Sequence, residues 1–150
     1  MTEDNQEKIL EYAERKKISS IPVHEFMSKG IMKVIQGCSI RSVIAMFKEH
    51  KISGAPVVDL NDRMVGIVTG YDLILQAATR DLNDAILFNK KVLTLKTDDT
   101  LADAIKALHK TKYHRLPVIN TLGSVLGVIS QQDILNELVK FEGVVATDNQ

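Results

Sequence analysis

Along the chain, the spacing of apolar positions changes in a fixed order, and that order occurs twice. Ile40, Val43, Ile44 and Phe47 fall at i, i+3, i+4 and i+7, the spacing that lines one face of an α-helix. Sixty-one residues later, Leu101, Ala104, Ile105 and Leu108 repeat the row. Ser39 and Thr100 stand immediately before the two rows. A hydroxyl there can accept from an unpaired backbone N–H of the first turn, and Asp103 completes a T-x-x-D capping box after Thr100. Beyond each helix the pattern shortens. Residues 55–59 and 116–120 are brief, β-branched and apolar, LNDR and TLG then read as turns, and residues 64–69 and 125–130 form a second strand pattern. Helical spacing returns over 72–78 and 133–139, and short strands at 32–35 and 92–95 precede the long helices. Each copy therefore predicts strand, helix, strand, strand, helix.

The offset from Pro56 to Pro117 is 61 residues, and it maps Lys51 onto Lys112, Gly66 onto Gly127 and Asp72 onto Asp133 without a gap. One copy of roughly 50–60 residues is near the lower limit for an independent core, and it cannot cover both faces of a three-stranded sheet. Two copies packed together with pseudo-twofold symmetry satisfy both constraints. The expected organisation is an N-terminal helix and linker over 1–20, a first repeat over 21–80, a second over 81–140 and a tail over 141–150, in an α+β fold. The helix, over residues 2–17, has few apolar positions (Ile9, Leu10, Ala13) and is expected to lie against a surface. Residues 75–89 connect the two copies.

Composition narrows the function. With 45% apolar and 25% charged residues the chain is an ordinary globular sequence. Lys plus Arg and Asp plus Glu are equal at 19 each, so no global field steers it toward nucleic acid or anionic lipid. The single Cys38 forms no internal disulfide, and the four histidines include no i, i+4 pair of metalloprotease type, so no metal site is expected. The polar N-terminus lacks a signal-peptide core, and there is no run of about 18 apolar residues. The expectation is a soluble, cytoplasmic chain. Neither G-x-x-x-x-G-K-[S/T] nor G-x-G-x-x-G occurs, and no nucleophile with its base and orienting group can be assembled. The sequence reads as a non-enzyme.

Two pairs of phrases carry the candidate chemistry. GIVTGYD at 66–72 and GVISQQD at 127–133 share G-x-x-[T/S]-x-x-D at a strand-to-helix junction. A carboxylate there suits the vicinal hydroxyls of a ribose, with helix N-terminal donors beside it. The same spacing is also a capping box, and duplication would copy caps as readily as sites, so both readings stand. Upstream, HRLPVI at 114–119 answers SGAPVV at 53–58. Ser53 and Gly54 offer little to an anion, whereas Arg115 offers a planar, permanently charged fork and His114 a second donor. The structural alternative is that Arg115 pairs with a nearby carboxylate and His114 closes the preceding helix.

The duplicated x-x-P-V-V strand with its closing G-x-x-[T/S]-x-x-D resembles a tandem pair of CBS domains over roughly residues 23–139. VHEFMSKGI at 23–31 resembles the segment that opens many CBS motifs, and KTKYHRLPVI is similar to a phrase in the gamma subunit of AMP-activated protein kinase. The resemblance implies two pseudosymmetric repeats packed sheet to sheet, with two clefts that in the family often bind AMP, ADP, ATP or S-adenosylmethionine. By position, Thr69 with Asp72 and Ser130 with Asp133 would face ribose. Lys33 and Thr94 would line the adenine pocket by backbone, and His114 and Arg115, with Pro117, would face the cleft. One armed copy implies one dominant site, for AMP, ADP or ATP ahead of S-adenosylmethionine. The function implied is a regulatory nucleotide-binding module acting alone or on a partner protein. The alternative is a ligand-free interaction and dimerisation module whose T/S and D residues are caps only. A homodimer face is expected from Ile74, Leu75, Ile134, Leu135 and Leu138, unless these residues pack beneath their own sheet.

Overall fold

The structure, a computed structural model, describes residues 4–9, 20–111 and 114–142. The first repeat consists of β1 (Val34–Ile35), α1 (Ile40–His50), β2 (Gly54–Val58), β3 (Met64–Thr69) and α2 (Gly70–Thr79). The second consists of β4 (Leu95–Lys96), α3 (Leu101–Thr111), β5 (Arg115–Ile119), β6 (Val125–Ser130) and α4 (Gln131–Glu142). Strand, helix, strand, strand, helix is thus present twice, in an α+β fold. The first strand of each copy is shorter than its apolar pattern suggests, because only two residues pair: Val34 with Val57 and Ile35 with Val58, then Leu95 with Val118 and Lys96 with Ile119. Of the N-terminal helix expected over 2–17, residues 4–9 are helical, with Lys8 Nζ 3.2 Å from Asp4 Oδ2. The remainder lies outside the described residues, as does the tail beyond residue 142.

The two sheets run β1-β2-β3 and β4-β5-β6. In each, the short first strand is parallel to the second, and α1 or α3 makes the crossover that a parallel pair needs. The helices start where the hydroxyls said they would. Ser39 Oγ accepts from Ser42 N at 3.1 Å. Thr100 N donates to Asp103 Oδ2 at 2.9 Å while Asp103 N donates to Thr100 Oγ1 at 3.3 Å. On α1 the predicted face is the buried one, with Ile40, Val43 and Phe47 in the core and Ile44 half-buried. On α3 the face is turned slightly, so that Leu101, Ala104 and Ala107 are buried and Ile105 and Leu108 half-buried. Among the described residues no helix is long and apolar enough to cross a membrane.

The described chain forms two compact units that do not follow the order of the repeats. One gathers the residues up to Gly30, Leu93–Asn120 and those from Leu126 onward; the other gathers Ile31–Val92 with Thr121–Val125. The segment leading into the first repeat therefore packs with elements of the second, and the reverse holds. Ser28 and Val128 exchange two backbone hydrogen bonds of 2.9 Å each, as do Asn89 and Ile67. Val23 N donates to Asp99 O at 2.7 Å and Ile86 N to Cys38 O at 2.9 Å. Val23 and Ile86 each place a buried side chain in the core of the unit they join.

This crossing explains the glycine that heads each closing motif. A Cβ on Gly127 would lie 2.6 Å from Met27 Sδ and 2.7 Å from Ser28 O. On Gly66 it would lie 2.5 Å from Asn89 O and against the Phe88 ring. Backbone oxygen cannot swing aside as a side chain can. Gly66→Ala is therefore expected to destabilise the protein by about 1–3 kcal/mol through overpacking. Gly54, where a Cβ would meet Val68 O at 3.7 Å, tolerates Ala with a change of at most about 1 kcal/mol. Urea unfolding midpoints measure both; a Gly66→Ala variant as stable as the parent would mean that the 82–89 segment is not held over β3.

Candidate functional site

In the first repeat, β3 ends at Thr69, whose extended backbone makes it the N-cap of α2. Thr69 Oγ1 accepts from Asp72 N at 3.2 Å and donates to Asp72 Oδ2 at 2.9 Å, while Thr69 N donates to the same oxygen at 3.0 Å. The capping box is complete. One carboxylate oxygen takes both bonds, the hydroxyl proton is committed, and Asp72 Oδ1 has no hydrogen-bond partner among the described residues. Gly70 N donates to Ser53 O at 2.8 Å, which sets the uncharged Ser53-Gly54 beside this helix start.

The second repeat uses the same frame differently. Ser130 N donates to Asp133 Oδ2 at 2.9 Å and Asp133 N donates to Ser130 Oγ at 3.1 Å. The other carboxylate oxygen, Oδ1, accepts from the Ser28 hydroxyl at 2.9 Å. Gln131 N donates to His114 O at 3.3 Å, and Gln131 Nε2 lies 3.5 Å from His114 Nδ1. These contacts hold the start of β5 beside the start of α4. His114 and Arg115 are both exposed. Among the described residues Arg115 forms no ion pair, so the carboxylate partner that would have neutralised it is absent there.

The remaining sequence candidates fall as follows. Pro117 is buried in β5, and Thr94 is half-buried immediately before β4. Lys33 Nζ reaches both oxygens of Asp62, at 3.1 and 3.2 Å, so its side chain is tied to the turn between β2 and β3. One unit thus brings together Thr94, His114, Arg115, Pro117, Ser130 and Asp133, while Lys33, Thr69 and Asp72 belong to the other. Sequence reasoning missed Ser28. Only the crossing of the lead-in segment puts that hydroxyl on Asp133, and nothing local to residues 23–31 announces it.

A groove of about 420 Å³ also opens on the first repeat between α1 and α2, lined by Ile44, Phe47, Ile52, Leu73 and Ile74 among others. Of the residues expected on an association face, Ile74 is 67% exposed, Leu75 49% and Leu135 55%. Ile134 instead is buried in its own unit's core, and Leu138 is half-buried against it. For these two the stated alternative holds: they face the cluster that includes Leu101 and Ile129 and do not form an exposed face.

A family model described as the CBS domain matches residues 23–78 and again 82–140. The chain belongs to the CBS-domain family. This tandem CBS pair is 31% identical over 121 residues to an uncharacterized protein of Methanocaldococcus jannaschii, MJ1232, across 79% of this chain and 40% of that one. It is 35% identical over 98 residues to inosine-5'-monophosphate dehydrogenase of Nitrosopumilus maritimus, across 65% of this chain and 20% of that one. The chain therefore spans well under half the length of these relatives. Among solved structures, CBSX2 in complex with AMP is similar at a TM-score of 0.68 and 25% identity, covering 81% of this chain and 98% of that one.

The cap chemistry of the two CBS motifs gives a stability expectation independent of any ligand. Thr69→Ala and Asp72→Ala should each lower stability by about 0.5–2 kcal/mol. Because the two side chains form one reciprocal box, the double variant should lose clearly less than the sum of the two. Urea unfolding of the three variants checks this; strict additivity would show that the box does not act as a unit.

Proposed function

We propose that this chain is a regulatory CBS pair that binds an adenosine nucleotide (AMP, ADP or ATP), with its dominant site in the second repeat. The observation that carries the reading is Arg115, exposed and without an ion pair among the described residues, at the strand end held next to the start of α4. A guanidinium offers paired N–H donors in the geometry of phosphate oxygens, and the Asp133 carboxylate beyond it suits ribose hydroxyls. The first repeat keeps the carboxylate but has Ser53 and Gly54 in place of the cations. It therefore lacks the phosphate half of such a site. The AMP complex of CBSX2, at 25% identity, supports the ligand class. S-adenosylmethionine has a cationic sulfonium where a nucleotide has its first phosphate, so it matches Arg115 less well there. A nucleotide regulates by binding one conformation of the chain, or of its partner complex, better than another.

The groove between α1 and α2 favours a second reading compatible with the first, in which two copies associate as a homodimer through that face. Ile74 at 67% exposure beside an apolar groove is the observation behind it. Ile74 and the groove beside it together offer apolar surface that a second copy could cover.

Both readings have direct tests. Arg115→Ala should weaken AMP and ATP by about ten- to a hundredfold, the equivalent of about 1.5–3 kcal/mol for a lost charge-assisted hydrogen bond, and leave adenosine nearly unchanged. Asp133→Ala should weaken adenosine and AMP alike. Calorimetry with the three compounds decides; no heat for any of them, or an equal loss of adenosine and AMP in Arg115→Ala, contradicts the reading. For association, light scattering should give a dimer mass for the parent and a monomer mass for Ile74→Glu. A monomeric parent at high micromolar concentration overturns the homodimer.

A further inference from the structure

The two closing motifs have the same spacing, but their hydroxyl protons go to different places. A serine or threonine hydroxyl has one proton to donate and lone pairs to accept with. Thr69 gives its proton to Asp72 Oδ2 at 2.9 Å while accepting from Asp72 N. Ser130 also accepts, from Asp133 N at 3.1 Å, but its proton has no acceptor among the described residues. What differs is the third hydroxyl. Ser28 Oγ donates to Asp133 Oδ1 at 2.9 Å, and in the carboxylate orientation this bond holds, Oδ2 takes Ser130 N alone, whereas Asp72 Oδ2 takes both Thr69 N and the Thr69 hydroxyl.

We infer that Ser28 is a positioning residue for phosphate recognition in the second repeat: by holding the Asp133 carboxylate through Oδ1, it keeps Oδ2 off the Ser130 hydroxyl, which is left to donate to a ligand oxyanion beside Arg115. This rests on the nucleotide reading proposed above and adds to it the residue that sets the preference for phosphorylated ligands. Ser28 is well placed for the role. Its backbone is fixed by two 2.9 Å hydrogen bonds to Val128, and the preceding Met27 lies on Gly127. The hydrogen bond from Gln131 N to His114 O at 3.3 Å keeps Ser130 and Arg115 at the same end of their strands. The first repeat supplies the contrast. Its residue at the matching offset is Asn89, whose Oδ1 accepts from Lys91 N at 3.0 Å. Among the described residues no lead-in hydroxyl reaches Asp72, and Thr69 turns its own proton onto it.

The test compares AMP and adenosine affinities by calorimetry for the parent, Ser28→Ala, Ser130→Ala and the double variant, with melting temperatures to show that each is folded. In Ser28→Ala the Ser130 hydroxyl is expected to turn back onto Asp133, lowering the preference for AMP over adenosine on the order of tenfold. Adenosine affinity itself should hold. Ser130→Ala should lose the same preference, and the double variant no more than either single one, because the two residues act through one proton. Ser28→Asn, which installs the residue found 61 positions on, should behave like Ser28→Ala, and Ser28→Thr should retain the preference. An unchanged preference in Ser28→Ala and Ser28→Asn overturns the inference. So does an equal loss of adenosine and AMP, which would make Ser28 a support for ribose binding. If neither compound binds the parent, the nucleotide reading fails and the inference falls with it; if both bind and only the selectivity result fails, the nucleotide reading stands alone.

Discussion

A stretch of backbone crosses each closing motif so closely that no side chain fits beneath it, and the arrangement of both compact units follows from that contact. At Gly127 the crossing segment is 27–28, and at Gly66 it is 88–89. Each crossing is sealed by a reciprocal pair of backbone hydrogen bonds, so the buried N–H and C=O groups of β3 and β6 find partners. The same segments deliver Val23 and Ile86 to the cores. Without the crossing, each three-stranded sheet would lose a buried aliphatic side chain and the bonds that satisfy the outer face of its last strand. A repeat of this size has little apolar surface to spare. The exchange of lead-in segments is therefore part of how each core is completed.

The candidate site is built on the same feature. Capping and ligand recognition are often set against each other as explanations for a hydroxyl and a carboxylate at a helix start. Here the atoms can be assigned separately. The backbone N–H of Asp133 and the Ser130 Oγ that accepts it make the cap, as does Ser130 N on Oδ2. A carboxylate has about four lone-pair sites, so capping occupies only part of Asp133. The lead-in segment then settles how the rest is filled, through Ser28 on Oδ1. On the proposed reading, stability and recognition share residues without competing for the same lone pairs.

How much of this the sequence revealed depends on whether the cause was local. The helical rows at Ile40–Phe47 and Leu101–Leu108, the caps at Ser39 and Thr100, and the strands ending at Thr69 and Ser130 are periodic or short-range features, and they were legible. So was the equal pairing of the first two strands in each sheet, because a gapless offset copies register as well as residues: Val34 beside Val57 becomes Leu95 beside Val118. The family resemblance rested on that same regularity. The lead-in exchange was not legible. A segment such as 23–31 has no signal that says which of two similar repeats it will cover, since both offer a glycine and a matching strand. Ser28 was missed for that reason, and the inward turn of Ile134 and Leu138 stayed one of two readings because periodicity on α4 allows either face to be the buried one.

Divergence at a single pair of matched positions shows how a duplicated frame can become unequal. Gln76 is buried, and its amide clamps the second lead-in from both sides: Nε2 donates to Leu87 O at 2.9 Å and Oε1 accepts from Leu87 N at 2.7 Å. The matching residue 61 positions on is Glu137, also buried, with Lys140 Nζ at 3.5 Å. An ionised carboxylate only accepts, so it cannot reproduce the two-sided clamp. The first lead-in does not need it. A 3-10 turn at Val23–Glu25 lets Phe26 N donate to Val23 O at 3.1 Å and Met27 N to the same oxygen at 2.9 Å. That lead-in supplies its own acceptor for Phe26 N, the counterpart of Leu87 N, so the fold does not require an amide oxygen at residue 137 for it. The same logic separates Thr69 from Ser130. Where a neighbouring segment holds part of the frame, a residue in the frame can be released from it, and among the described residues the Ser130 hydroxyl proton is such a group, in the repeat that also holds Arg115.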